Sequence, residues 1–226
     1  MARKKKEDAL KTRQEIIDAA IFIFANRGFS NTSLDDIAHE ARVTRGAIYW
    51  HFTNKTDLFN AIWQQQKPIT EKISSKLMLH FKDNPCWIFR HSLIECLRLI
   101  ARSQVDQALI EILYHKCEFT NEMMPEADIR DRLLFNQDKV TLLLEKCLVQ
   151  DPLFIRMPLT LALIIIQAYM SGIIKNWLML NKNFELDRLA PQLVDGLLSM
   201  LRVTQDNNAG NIEATQSAVS ESIISP

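Results

Sequence analysis

The chain has 226 residues, with 27 Lys and Arg against 27 Asp and Glu, five Gly, seven Pro and four Cys. That length buries a real core in one large or two modest domains, and the low Gly and Pro content, with no run of strict apolar/polar alternation, excludes a sheet-based fold in favour of an all-α one. The zero net charge hides an asymmetry: residues 1–55 hold ten Lys and Arg against seven Asp and Glu, the other 171 hold seventeen against twenty, so a small basic module precedes a mildly acidic one.

Met1 is followed by the polar, basic Ala2-Arg3-Lys4-Lys5-Lys6 with no apolar run behind it, which does not read as a secretory leader. This arm and Lys11 to Arg13 lead into a first helix whose Ile16, Ile17, Ala20, Ile21 and Phe24 share one face; it stops at Gly28, suited to the left-handed position after a helix end. Charge of this kind is usually only solvated, but beside a nucleic-acid reader it contacts phosphates or lies along the minor groove.

The stretch from Ser33 to Phe52 reads as two short helices joined by a tight turn. Ser33 is an N-cap with Asp36 three residues on, a weak capping box, and Leu34, Ile37 and Ala38 form one apolar face. After the turn Ala41-Arg42-Val43, Thr44 caps a second helix in which Ala47 and Ile48 pack inward while Arg45, Gly46, Tyr49 and His51 face outward. An exposed Arg at the second position suits the O6 and N7 atoms of guanine in a major groove, and a neighbouring Gly lets the backbone come close.

Past Phe52, Thr53 or Asn54 caps a helix beginning near Lys55, with Leu58, Phe59, Ile62 and Trp63 on its apolar side; it is a rod leading from a head to a body. Body helices are predicted at about 69–81, 86–103, 106–118, 126–150, 159–180 and 189–201, with breaks at Asn84-Pro85, Asp151-Pro152 and Met157-Pro158. Leu159 to Ile174 is strongly apolar, but it falls short of the roughly 20 residues a membrane span needs and is cut by Gln167 and Ser171, so it reads as a buried interface helix and no membrane partner is expected. From Thr204 to Pro226 the chain is polar and irregular, a disordered tail.

Cys86, Cys96, Cys117 and Cys147 show no metal-ligand or disulfide spacing and read as reduced thiols of a cytoplasmic protein. His115 and Cys117 point different ways on a helix, so no metal is expected, and no cofactor motif is present. No nucleophile elbow, phosphate loop or paired-acid motif appears, so an enzyme is not expected.

The segment from Thr12 to Leu58, above all Thr32-Ser33-Leu34-Asp35-Asp36-Ile37-Ala38 and Val43-Thr44-Arg45-Gly46-Ala47-Ile48-Tyr49-Trp50-His51-Phe52, resembles the DNA-binding domain of the TetR family of transcriptional regulators. Glu111 to Phe119, with Ser171-Gly172 and Asn176-Trp177, is similar to the AcrR-type subgroup that represses multidrug efflux pumps. The resemblance implies a helix-turn-helix head (1–55), a helical ligand-binding and dimerisation body (56–203) and a tail (204–226). It offers Thr44, Arg45, Gly46, Ala47, Tyr49, Trp50, His51 and Lys55 to operator DNA, with Thr44, Tyr49, His51 and Lys55 on phosphates. Trp63, Lys67, Ile110, Leu113, Tyr114, Phe135 and Met170 are implied for a small hydrophobic ligand, Lys67 shifting the preference toward anionic or neutral compounds. On residue type alone Met and aromatic positions of this spacing are more often ordinary core. A homodimer seam is expected from Ile166, Gly172, Ile173, Trp177, Leu193, Leu197 and Met200, the competing reading being an internal core. The implied function is a repressor that binds an inverted-repeat operator and is released by small hydrophobic compounds; the alternative is a constitutive DNA-binding or protein-interaction factor without an inducer.

Overall fold

The computed structural model describes residues 2–69, 71–73, 84–133 and 137–202, and every regular element among them is helical. The N-terminal elements are α1 (Ala2–Arg27), α2 (Leu34–Glu40), α3 (Arg45–His51) and α4 (Lys55–Gln65). The body contains α5 (Pro85–Arg102), α6 (Gln104–Glu111), a π-helical turn (Ile112–Lys116), α7 (Glu126–Leu133), α8 (Gln137–Gln150), α9 (Leu159–Met179) and α10 (Leu186–Arg202).

The predicted inner face of α1, Ile16, Ile17, Ala20, Ile21 and Phe24, is buried, and α1 packs on α2, α3 and α4. Ile37, Ile48 and Leu58, one from each of those helices, are fully buried against it, each burial stabilising by about 1.5–3 kcal/mol. α1 ends at Gly28, which takes φ 85°, the left-handed conformation that a Cβ disfavours. The next residue donates its N–H to the Lys116 carbonyl at 2.9 Å, and a Cβ on Gly28 would stand 3.3 Å from that same oxygen. The end of α1 is thereby docked on the π-helical turn of the body.

An aromatic column continues this junction. Phe29 and Phe59 are 5.3 Å apart, Phe59 and Trp63 5.7 Å, and Phe59 and Phe119 6.1 Å between ring centroids, distances at which edge-to-face packing is favourable. Asn60 adds a polar clamp: its side chain donates to the Glu122 carbonyl at 3.0 Å and accepts the Met124 N–H at 2.7 Å. In the body, α5 packs on α8 and α10, and α9 on α8 and α10.

Several boundaries differ from the sequence reading. Ser103 caps α6, so that helix starts at Gln104 and gives way to π geometry at Ile112 instead of running on to Glu118; such a bulge is common where a helix carries function. The helix expected over 126–150 is described as α7 and α8, with 134–136 outside the described residues. Most of the helix expected at 69–81, and the tail at 204–226, also lie outside them. α9 runs to Met179 and, at 21 residues, is long and apolar enough by length and composition to cross a membrane. Its Ala162, Ile166, Met170, Ile174 and Trp177 are nevertheless buried, at the spacing of one helix face packed on neighbours.

Candidate nucleic-acid interface

The helix-turn-helix is built from local hydrogen bonds that the sequence encodes. Ser33 Oγ accepts the Asp36 N–H at 3.1 Å while Asp36 Oδ2 accepts the Ser33 N–H at 2.8 Å, a full reciprocal capping box. These bonds to Ser33 hold the Asp36 carboxyl below its ordinary pKa. Arg42 takes φ 56°, and Val43 donates to the Ala38 carbonyl at 3.0 Å, which turns the chain sharply into α3. Thr44 Oγ1 caps α3 by accepting the Ala47 N–H at 3.2 Å.

Fully buried Ile48 pins α3 to the head and leaves Tyr49 48% and Trp50 72% exposed. Arg45 is exposed, and its guanidinium lies 3.1 Å from Asp35 Oδ2 and donates to Tyr49 Oη at 3.2 Å. The Tyr49 hydrogen bond first, and the Asp35 charge second, raise its pKa. An exposed pair of this kind is worth little in water, so the guanidinium is free to exchange its partners for a base edge. A hollow between α1 and α2 is lined by Asp35, Asp36 and Glu40 together with Arg27 and His39, and Arg27 stands 3.2 Å from Asp36 Oδ1.

Gly46 is exposed, and the nearest atom to a Cβ built on it is Thr44 Oγ1 at 3.9 Å. Nothing within the protein requires glycine there. Gly46→Ala is expected to stabilise the head by up to about 1 kcal/mol through helix propensity. It is expected to weaken binding to specific DNA, because the added methyl stands where a DNA backbone would approach. Thermal unfolding and a DNA titration on the same variant check this; unchanged DNA affinity removes close backbone approach at Gly46.

His51 sits half-buried at the end of α3, and burial first, then the charge of Arg13, lowers its pKa. The ring is therefore neutral at pH 7. If His51 meets a phosphate its pKa rises in the complex, so the complex binds more protons than the free protein, and affinity should increase as pH falls from about 7.5 to 6. His51→Gln is expected to flatten that profile; a profile equally steep in the variant assigns the proton elsewhere.

Lys55, expected on a phosphate, also has partners within the protein. Its Nζ donates to the Phe29 and Thr32 carbonyls at 2.7 Å each and sits 4.3 Å from the Phe29 ring centroid. Partial burial lowers its pKa. Two of its three donors thus tie α4 to the loop after α1, where unsatisfied carbonyls of the helix end need partners. Arg13, in contrast, lies 5.0 Å over the Phe52 ring with no carboxylate partner among the described residues, which adds a cation beside His51 that spacing alone did not place there.

In the body, the positions expected around a ligand divide. Trp63, Ile110, Leu113 and Met170 are buried in the core, and the Trp63 Nε1 has no hydrogen-bond partner among the described residues. Lys67 is exposed, and Phe135 lies outside the described residues. Tyr114, half-buried in the π-helical turn, has the Arg130 guanidinium 4.8 Å and the Lys175 ammonium 5.9 Å from its ring centroid. An open cavity of about 270 Å³ lies between α7, α8 and α9, with Arg130, Asp131, Gln137, Val140, Leu163 and Ser171 among its walls. Among the described residues, none of those expected around the ligand lines it. Arg130 carried no sequence signal, since with Glu126 four residues before it it looks like an ordinary surface helix pair.

The expected dimer residues divide as well. Ile166, Trp177 and Leu197 are buried within the protomer, and Trp177 Nε1 donates to the Phe184 carbonyl at 2.9 Å. In the protomer they face its own core. Ile173 and Leu193 are half-buried, Gly172 has nothing within 4 Å of an added Cβ, and Met200 is exposed. The outer apolar surface of α9 is Leu161, Ile164 and Met179.

A two-helix reading unit with a buried pivot and an exposed Arg and aromatic face, mounted on a helical body, is the build of a DNA-binding regulator. Residues 16–62 match the family model of bacterial regulatory proteins of the tetR family, and residues 84–203 match that of the C-terminal region of MAATS-type transcriptional repressors. The probable acrEF/envCD operon repressor of Escherichia coli (strain K12) is 46% identical over 88% of this chain and 91% of its own length. The HTH-type transcriptional regulator AcrR of Shigella flexneri is 37% identical over 88% and 94%. Among solved structures, NalD, the secondary repressor of the MexAB-OprM multidrug efflux pump in Pseudomonas aeruginosa, superposes with a TM-score of 0.65 at 28% identity, covering 89% of this chain and 100% of that one. The chain belongs to the TetR family of transcriptional regulators, in its AcrR-type subgroup, and is not an enzyme.

Proposed function

We propose that this protein is a dimeric repressor of a multidrug efflux operon, bound to an inverted-repeat operator through α3 of each subunit and released by small hydrophobic compounds held in the body. The observation that carries the DNA part is the exposed Arg45, Tyr49 and Trp50 surface on a helix pinned by Ile48; the repressor names of the relatives support the choice of operon. Release is supported by a physical connection. Arg130, in the cavity wall, stacks on Tyr114; Tyr114 belongs to the π-helical turn whose last carbonyl, that of Lys116, accepts the Phe29 N–H from the head. A compound that moves Arg130 therefore works on the segment that docks α1.

The alternative, a constitutive factor with a filled body, draws on the closed packing around Trp63, Ile110, Leu113 and Met170. The open cavity favours the ligand-responsive reading.

Titrating operator DNA with the protein and with Arg45→Ala tests the first part. Loss of the guanidinium is expected to cost about 1–3 kcal/mol on the right operator and to relax preference at one base pair per half-site. Unchanged affinity and sequence preference would remove Arg45 from base reading. Adding a hydrophobic dye to the preformed complex tests the second part, with dissociation of the DNA as the expected result.

A further inference from the structure

The positive charge of the N-terminal region is gathered at one end of α1. Residues 2–13 hold six cations, Arg3, Lys4, Lys5, Lys6, Lys11 and Arg13, against Glu7 and Asp8, whereas residues 14–55 hold four Lys and Arg against five Asp and Glu. That end is helical from Ala2 onward, yet none of residues 6–15 is buried, and the packed face of α1 begins at Ile16. The first turn also carries no acidic residue, so its cations stand at the positive end of the helix dipole and work against the helix. Neither packing nor helix stability accounts for this charge. Its position identifies a partner. The other end of α1 is tied to the body by the Phe29 to Lys116 hydrogen bond, and Arg13 lies 5.0 Å over the ring of Phe52, the C-cap of α3. The segment before Arg13 therefore continues past the end of α3, away from that tie, for about 16 Å at 1.5 Å per residue. A helix about 10–12 Å wide does not enter a minor groove of about 6 Å, so the cations it carries meet the phosphate backbone and not base edges.

We infer that the first three turns of α1 are a second DNA-contact element, independent of sequence, that lies along the phosphates flanking the major groove read by α3. The inference rests on the DNA-binding reading and lengthens each half-site beyond the bases that α3 reaches. The arm supplies affinity and salt dependence, while Arg45 keeps the sequence preference.

The full-length protein and its Lys4→Gln/Lys5→Gln/Lys6→Gln variant are titrated onto two duplexes, one that the protein selects from a random pool and a scrambled one of the same length and composition. Titrations run from about 50 to 200 mM salt. The variant is expected to bind both duplexes more weakly by the same factor, at least about tenfold at low salt. Its slope of log affinity against log salt should be shallower by at least about 2 for the two arms of a dimer. Lys4→Arg/Lys5→Arg/Lys6→Arg should keep the wild-type slope. The Gln variant should unfold at an unchanged or higher temperature, since it removes cations from the positive end of a helix. An unchanged slope in the Gln variant, or a loss confined to the selected duplex, overturns the inference. Arg45→Ala, in contrast, should narrow the preference between the duplexes. The slope on the scrambled duplex is read whether or not that preference changes, so the arm and the base-reading assignment stand or fall separately.

Discussion

Gly172→Glu is expected to convert the protein from a dimer to a folded monomer and to lower operator affinity by at least about a hundredfold, the scale of the avidity that two linked heads contribute. Apart from its own helix backbone, no atom of the described residues lies within 4 Å of a Cβ added at Gly172, so the protomer has room there for a side chain. Only a partner helix packed closely on α9 would reject it. The charge would then stand in an apolar seam built from Leu161, Ile164, Met179 and Met200, which are exposed in the protomer, and an unpaired carboxylate buried there is heavily penalised. Leu197→Glu makes the contrast. Leu197 is fully buried within the protomer, so that change should unfold the body and not merely split the dimer. Sedimentation and circular dichroism on both variants distinguish the outcomes; a dimeric Gly172→Glu protein would place the seam away from the middle of α9.

Asn60→Ala is expected to uncouple ligand from operator while leaving each able to bind alone. In the wild-type protein, the coupling typical of such regulators, about 1–3 kcal/mol, means that a ligand weakens operator binding some 5 to 150-fold and operator weakens ligand binding by the same factor. The Asn60 side chain is the polar clamp between α4 and the loop running from Cys117 to Pro125. Removing it leaves the aromatic contact of Phe59 with Phe119, the Phe29 to Lys116 hydrogen bond and the packing of α1 on α6 and on the π-helical turn. Ligand affinity is measured with and without operator, in both proteins. Identical ligand affinities in the wild-type pair would rule out release by that compound. A ratio preserved in Asn60→Ala would show that the loop after the π-helical turn does not carry the coupling.

The reading unit was legible in the sequence because its determinants are local. Ser33 with Asp36, Thr44 with the Ala47 N–H, and Gly28 at a helix end each act within four residues, and the spacing of Ile16, Ile17, Ala20, Ile21 and Phe24 marks a buried face whatever lies opposite. The same locality limited the rest. Periodicity tells which face of a helix is apolar but not whether that face meets its own chain or a second copy, and Ile166, Trp177 and Leu197, which it offers to a seam, are buried within the protomer. The partners of Lys55 lie 26 and 23 residues away, and those of Asn60 more than 60. No pattern in the chain announces such pairings. The sequence by itself determined the all-α class, the helix-turn-helix and its outward Arg45, since capping and amphipathic spacing act within a turn or two of helix. Only the tertiary structure decided where the cavity opens, which cations reach Tyr114 and how the body touches the head, because those depend on which helices compete for the same apolar surface.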